Sequence, residues 1–204
     1  MNPGEFHSPY AGYDVLDKWD TPSWNEQTRE VVRRRLEEIP ERRYLTEEEW
    51  RLLEAVAARL VPQPERGHPV PIVPWIDRKL ADNCGPGYRY ADMPPMREAW
   101  RQGLAAIRAE ARNRQGGPFE GLSDEEQDAL LADIQHGRVD GRCWGGLPPG
   151  GFFTHLLLRE TVAVYYSHPS AWSEIGFGGP AGPRGYVRLG FDERDPWEAE
   201  ERRA

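Results

Sequence analysis

Five histidines, His7, His68, His136, His155 and His168, are the side chains able to carry a proton near neutral pH or to ligate a metal. None forms a recognised metal-binding pair with another ligand, so no metal set is expected. His155 has the most suggestive neighbours, because Arg159 and Glu160 follow it four and five residues on. One reading is therefore a small stand-alone helical enzyme or ligand-binding domain using His155 and Glu160, with Cys143 as a further reactive group. The other is a buried imidazole whose two nitrogens are simply hydrogen-bonded. His168 precedes Pro169 at an expected helix end, where an imidazolium would meet the last carbonyls.

Cys84 and Cys143 stand apart from any C-x-x-C pattern, which argues against zinc or an iron–sulfur cluster. Each sits beside a Gly/Pro break, so a single disulfide between them and two free thiols are both open. The glycine-rich run from Gly176 to Gly185 lacks a preceding strand, a following helix and a Gly-Lys-Ser/Thr, and so reads as a structural loop rather than a phosphate cradle. The carboxylates fall at helix caps and on charged faces, and no pair is spaced for proton-transfer work. The expected set of catalytic residues, cofactor-binding residues and metal ligands in this chain is empty.

Composition narrows the class further. The 204 residues carry 26 basic and 34 acidic side chains, a formal charge of -8, which disfavours general nucleic-acid binding. The arginine clusters Arg33-Arg34-Arg35 and Arg42-Arg43 alternate with glutamates, as on a solvated helix face. The longest stretch without a formal charge, Cys143 to Leu158, is too short and too rich in Gly and Pro to span a membrane. Residues 1–20 show no basic stretch followed by an apolar run. The expectation is a chain that is cytoplasmic as synthesised.

The elements that must position these groups follow from apolar spacing and cap chemistry. Ser23 and Glu26 are spaced as a capping box for a first helix over 23–38. Thr46 and Glu49 repeat the spacing, and Trp50, Leu53, Ala57, Leu60 and Val61 make one buried face of a helix that must end before Pro62. A third helix is expected over 73–82. A fourth runs from about Pro94-Pro95 to Gly116, with Met96, Trp100, Leu104, Ile107 and Ala111 inward. Ser123 and Glu126 open a fifth, which Gly137 closes. The sixth, over 151–167, is apolar nearly all round and should be central. The fold class is thus all-α: an irregular bundle of about six helices, with an N-terminal arm and first helix (1–44), a helical core (45–168) and a Gly/Pro/aromatic tail (169–204).

The tail holds six glycines and four prolines together with many large apolar side chains. It is too apolar to be disordered and too irregular to make a core alone, so it packs on the helices or on a partner. Aromatic rings supply much interface energy. The rings expected at a partner interface are Trp172, Phe177, Tyr186, Phe191 and Trp197 in the tail, with Tyr13 and Trp19 in the arm.

Several segments, taken in order over about 45–190, resemble the gluconate 2-dehydrogenase subunit 3 family. They are Leu45-Thr46-Glu47-Glu48-Glu49 with Arg59-Leu60-Val61-Pro62, then Arg101-Gln102-Gly103-Leu104, and Gln127-Asp128-Ala129-Leu130-Leu131 after Leu122-Ser123. Phe152-Phe153, Tyr165-Tyr166, His168-Pro169, Ile175-Gly176-Phe177 and Gly179-Pro180 complete them. The resemblance implies a small helical subunit or maturation and export chaperone for a large flavin-dependent dehydrogenase of the glucose-methanol-choline type. In such a complex FAD belongs to the partner and none to this chain, and a cytochrome c subunit can take the electrons onward. It implies oxidation of a sugar, sugar acid or polyol by the partner, and a periplasmic location if the chain is carried by an exported partner. The chain departs from the family where Ser170-Ala171-Trp172-Ser173-Glu174 replaces a Gly-Gly-Asn region, and where the arm stands in place of a twin-arginine signal.

Overall fold

The structure is a computed structural model that describes residues 8–63, 67–85, 87, 90–181, 185 and 187–201. Among the described residues every regular element is helical and no β-strand forms. The chain divides into two compact units, a core unit of Ile39–Tyr165 and a terminal unit drawn from Met1–Glu38 and Tyr166–Ala204.

The core unit begins where a buried acid organises a turn. Asp77, fully buried, accepts hydrogen bonds from the backbone N–H groups of Arg43 (2.6 Å), Tyr44 (3.0 Å) and Leu45 (2.7 Å). That turn leads into the first helix of the core unit. The arm helix is α1 (Glu26–Glu37), and the core helices start with α2 (Glu47–Leu60) and α3 (Ile72–Ala81). The capping box expected at Thr46 forms with both reciprocal bonds, the Glu49 backbone to Thr46 Oγ1 at 3.2 Å and the Thr46 backbone to Glu49 Oε2 at 2.8 Å. Glu49 is also gripped by Arg101 at 2.8 Å and 3.0 Å, and the same guanidinium donates to the Tyr44 carbonyl and lies 4.5 Å from the Tyr44 ring centroid. One arginine of α4 (Met96–Gln115) therefore ties the start of α2 to the turn before it. Its neighbour Arg97 caps the other end of α3 by donating to the carbonyls of Leu80 and Ala81.

The remaining helices are α5 (Asp124–Gln135), the single turn α6 (Gly141–Trp144) and α7 (Pro149–Phe152) of the core unit, and α8 (Arg159–Ser167), which the core unit shares with the terminal unit from Tyr166 on. The capping box at Ser123 and Glu126 forms as its spacing requires. Residues 153–158, between α7 and α8, are wound as a π-helix, so the long sixth helix of the sequence reading is one rod with a widened middle. Its centrality holds: Phe152 and Leu157 are fully buried, as are Thr161 and, nearly so, Phe153 and Tyr165. Phe152 lies edge-on to Trp100 with centroids 5.8 Å apart and tilted against Trp144 at 6.1 Å. The approach is close because Gly103 of α4 has no side chain; a Cβ there would stand 2.2 Å from Phe152 Cζ.

The terminal unit has its own small core. Val15, Trp24, Val32 and Trp172 are buried together, with Tyr13, Leu16, Trp19 and Leu36 packed around them. The start of α1 differs from the sequence reading. Asn25, rather than Ser23, is the N-cap and accepts from the Thr28 backbone at 2.8 Å, which leaves Trp24 outside the helix and free to turn inward. The tail is also more regular than its composition suggested, since α9 (Pro169–Trp172) and a 3-10 turn at Ser173–Ile175 follow α8 directly.

Candidate functional site

In the terminal unit the arm clasps the first part of the tail. Ser8 Oγ donates to the Glu174 carbonyl (2.8 Å), the Val15 backbone donates to Ser173 Oγ (3.0 Å), and Lys18 Nζ donates to the Gly178 carbonyl (3.0 Å). Glycines make the contact possible. Gly179 sits at φ +75°, where a Cβ would also come 2.7 Å from the Trp24 ring, and a Cβ on Gly176 would meet Tyr10 at 2.6 Å. Two polar atoms of this clasp, Tyr13 Oη and Trp24 Nε1, are buried without a hydrogen-bond partner. Burial, followed by the nearby Asp14 and Asp17 charges, pushes the Tyr13 phenol up from 10.0 to about 12. Burial also lowers the Lys18 ammonium from its ordinary value, against the opposing pull of Glu198 and Asp195.

The rings expected at a partner interface fall into different environments. Trp172 is 5 % exposed and belongs to the terminal core, its indole N–H donating to the Tyr166 carbonyl at 3.0 Å. It is thus spent on the fold rather than offered to a partner, because α9 turns it toward Val15 and Trp24. Phe177 stacks edge-on against it, centroids 5.3 Å apart, and keeps 40 % of its surface in solvent. Trp19 is half-buried, edge-on to Trp24 at 6.0 Å and covered on one side by the Arg33 guanidinium at 5.5 Å. Tyr13 and Trp197 are half-buried and line a cavity of about 440 Å³ with Lys18 and Arg188. Phe191 is completely exposed. Tyr186 lies outside the described residues. Residues not singled out by aromatic character join Phe191 in solvent: Val187 is 66 % exposed and Leu189 61 %, with Ile175 at 43 %. The stretch is not slack, since Asp195 accepts from the Leu189 backbone (2.9 Å) and Arg188 pairs twice with Glu198 (2.9 Å each). The expected set rested on aromatic rings alone and so left out Val187 and Leu189, which flank Arg188 in a tail without helical period.

In the core unit the groups that sequence linked as possible chemistry are kept apart. Glu160 is buried and paired to Lys79 at 2.5 Å, and no contact joins it to His155. His155 instead stacks on Tyr90, centroids 4.0 Å apart and planes 18° from parallel, rather than being held by hydrogen bonds at both nitrogens. Cys84 and Cys143 are separate thiols. Cys143 receives a contact from Asn113 Nδ2 at 3.5 Å, and burial, then the Glu110 and Asp140 charges, push its thiol up, away from the thiolate a nucleophile needs. His136 bonds through Nδ1 to the Ala132 carbonyl at 2.6 Å, and His68 is exposed. His168 accepts from the Ser170 backbone at 3.3 Å, so it caps the start of α9, not the end of α8. Pro169 explains the change, because it opens a new helical turn there. His7 lies outside the described residues.

The other buried acids are committed to structure as Asp77 is. Glu110 accepts from the Asp140 backbone (2.8 Å), Arg114 Nε (2.9 Å) and the Trp144 indole (3.3 Å). Among the described residues no three His, Cys, Asp or Glu side chains gather as a metal site, and no helix is long and apolar enough to cross a membrane.

Among the described residues these contacts define an all-helical protein whose buried charges hold turns and helix ends together and whose tail carries much of its exposed apolar surface. Residues 47–179 match the family described as gluconate 2-dehydrogenase subunit 3, and the chain belongs to that family. Membership makes it a subunit of an oxidoreductase complex. Comparison with curated proteins and with solved structures gives no match.

Proposed function

We propose that the chain is a non-catalytic small subunit of a dehydrogenase complex, which binds and stabilises a large FAD-dependent partner oxidising a sugar, sugar acid or polyol. The tail is its docking element, and the observation that carries this reading is the solvent exposure of Phe191, Val187 and Leu189 in a segment otherwise fixed by hydrogen bonds and an ion pair. Exposed apolar side chains on an ordered scaffold are characteristic of an association surface. The flavin and the reacting histidine reside in the partner, a cytochrome c subunit receives the electrons, and this chain contributes assembly. It is made in the cytoplasm and is carried to the periplasm where its partner is exported.

Purification of the native complex through this chain tests the proposal. The expected result is a larger co-purifying chain with stoichiometric flavin and sugar-dependent dye reduction, absent from this chain alone. Phe191→Ser combined with Leu189→Ser should weaken that capture at least tenfold while leaving the isolated chain folded. Recovery of the chain with no flavoprotein, or capture unchanged by the double substitution, refutes the assignment of the tail.

A further inference from the structure

The core unit contains a second feature that the subunit role does not use. Between the end of α3, the start of α4 and the π-helical stretch lies a half-open cavity of about 500 Å³. That volume is within the range of small-molecule sites, roughly 300–1,000 Å³. Its walls are largely apolar, with Met93 and Met96 as the flexible, polarizable side chains that adapt to a flat ligand. The stacked Tyr90 and His155 rings form one side, and Tyr90 keeps 38 % of its surface exposed, so a broad aromatic edge is already in place.

The polar groups of the cavity share one character. Asn83 brings an amide, His155 an imidazole and Arg159 a guanidinium, and no carboxylate occurs among the described lining residues. This is notable in a chain with eight more acids than bases. No protein hydrogen bond occupies either His155 nitrogen among the described residues, in contrast to His136 and His168, whose rings are spent on the backbone. Two local irregularities put these donors here. The π-helical winding shifts the side-chain register of 153–158, the kind of interruption found often at functional sites, and Asn83 adopts the left-handed conformation at φ 52° as α3 ends.

We propose that this cavity binds a planar aromatic compound of one or two fused rings bearing an acidic group. The ring inserts against Tyr90 and His155 and between the methionines, and the acid meets the donors of His155, Asn83 and Arg159. The inference concerns the core unit alone and does not depend on the docking role of the tail.

The test uses the full chain and 2-naphthoate as probe, followed by the imidazole resonances of isotope-labelled protein. Saturable binding with a ring-current shift confined to His155 is expected. His155→Ala and Tyr90→Ala should each weaken binding at least tenfold, Tyr90→Phe should retain it, and Phe191→Ser should bind as the unaltered chain does. The uncharged 2-naphthylmethanol should bind at least fivefold more weakly. An unmoved His155 resonance, undiminished binding by both alanine variants, or equal binding of the alcohol overturns the proposal.

Discussion

Replacing Gly103 by Ala sets two effects of opposite sign against each other. In the middle of α4 alanine is the better helix former, by about 1 kcal/mol. The added methyl, however, would sit 2.2 Å from Phe152 Cζ and 2.4 Å and 2.5 Å from the adjacent ring carbons. The ring must retreat by more than 1 Å to restore an ordinary contact of about 3.5 Å. It has nowhere to go, because Phe152 is fully buried and held between Trp100 and Trp144. Overpacking in such a place costs about 3 kcal/mol, at the upper end of the usual range. The net loss is therefore about 2 kcal/mol, which for a unit of this size lowers the melting temperature by roughly 6 °C. Urea unfolding of Gly103→Ala, Phe152→Leu and the double variant separates the terms. The leucine shortens the side chain at the point of collision, so the double variant should be more stable than the sum of the single losses by about 1–2 kcal/mol. A Gly103→Ala protein that is more stable than the original, or a cycle without coupling, would show that α4 and α7 do not approach this closely.

Two further outcomes rest on buried polar atoms. Asp77→Asn should cost about 3 kcal/mol in urea unfolding, since an amide cannot accept all three backbone N–H bonds as a carboxylate does; a loss under about 1 kcal/mol would contradict the turn described. Tyr13→Phe removes a hydroxyl that has no partner and should leave the terminal unit as stable or up to about 1 kcal/mol more stable at neutral pH. The folded phenol is raised from 10.0 to about 12, so its ionisation does not affect the fold below pH 10, and stability is lost as pH rises from 10 toward 12 because the unfolded phenol ionises first. The original chain should therefore lose aromatic circular dichroism over that interval more steeply than Tyr13→Phe, and superimposable alkaline transitions would dismiss the burial of Tyr13 as the cause.

Local chemistry made much of the fold legible and long-range chemistry hid the rest. Thr46 with Glu49, and Ser123 with Glu126, act within one helical turn, so their spacing alone announces two capping boxes that the structure contains. Ser23 with Glu26 has the same spacing and fails, because Trp24 is drawn into a core completed by Trp172, almost 150 residues away, and Asn25 takes over the cap. Aromatic content showed that the arm and tail must be packed, yet could not divide the rings between core and surface. That division depends on the clasp of Val15 on Ser173 and Lys18 on Gly178, contacts no periodicity encodes. The same limit applies to His155. Its spacing to Glu160 suggested a pair, but Lys79 from a separate helix claims the carboxylate, and Tyr90 claims a face of the imidazole. A functional side chain is thus defined less by its neighbours along the chain than by which distant group has already satisfied them. By that criterion the exposed Phe191 and the nitrogens of His155, which no described side chain claims, are the groups on which the two proposed sites rest.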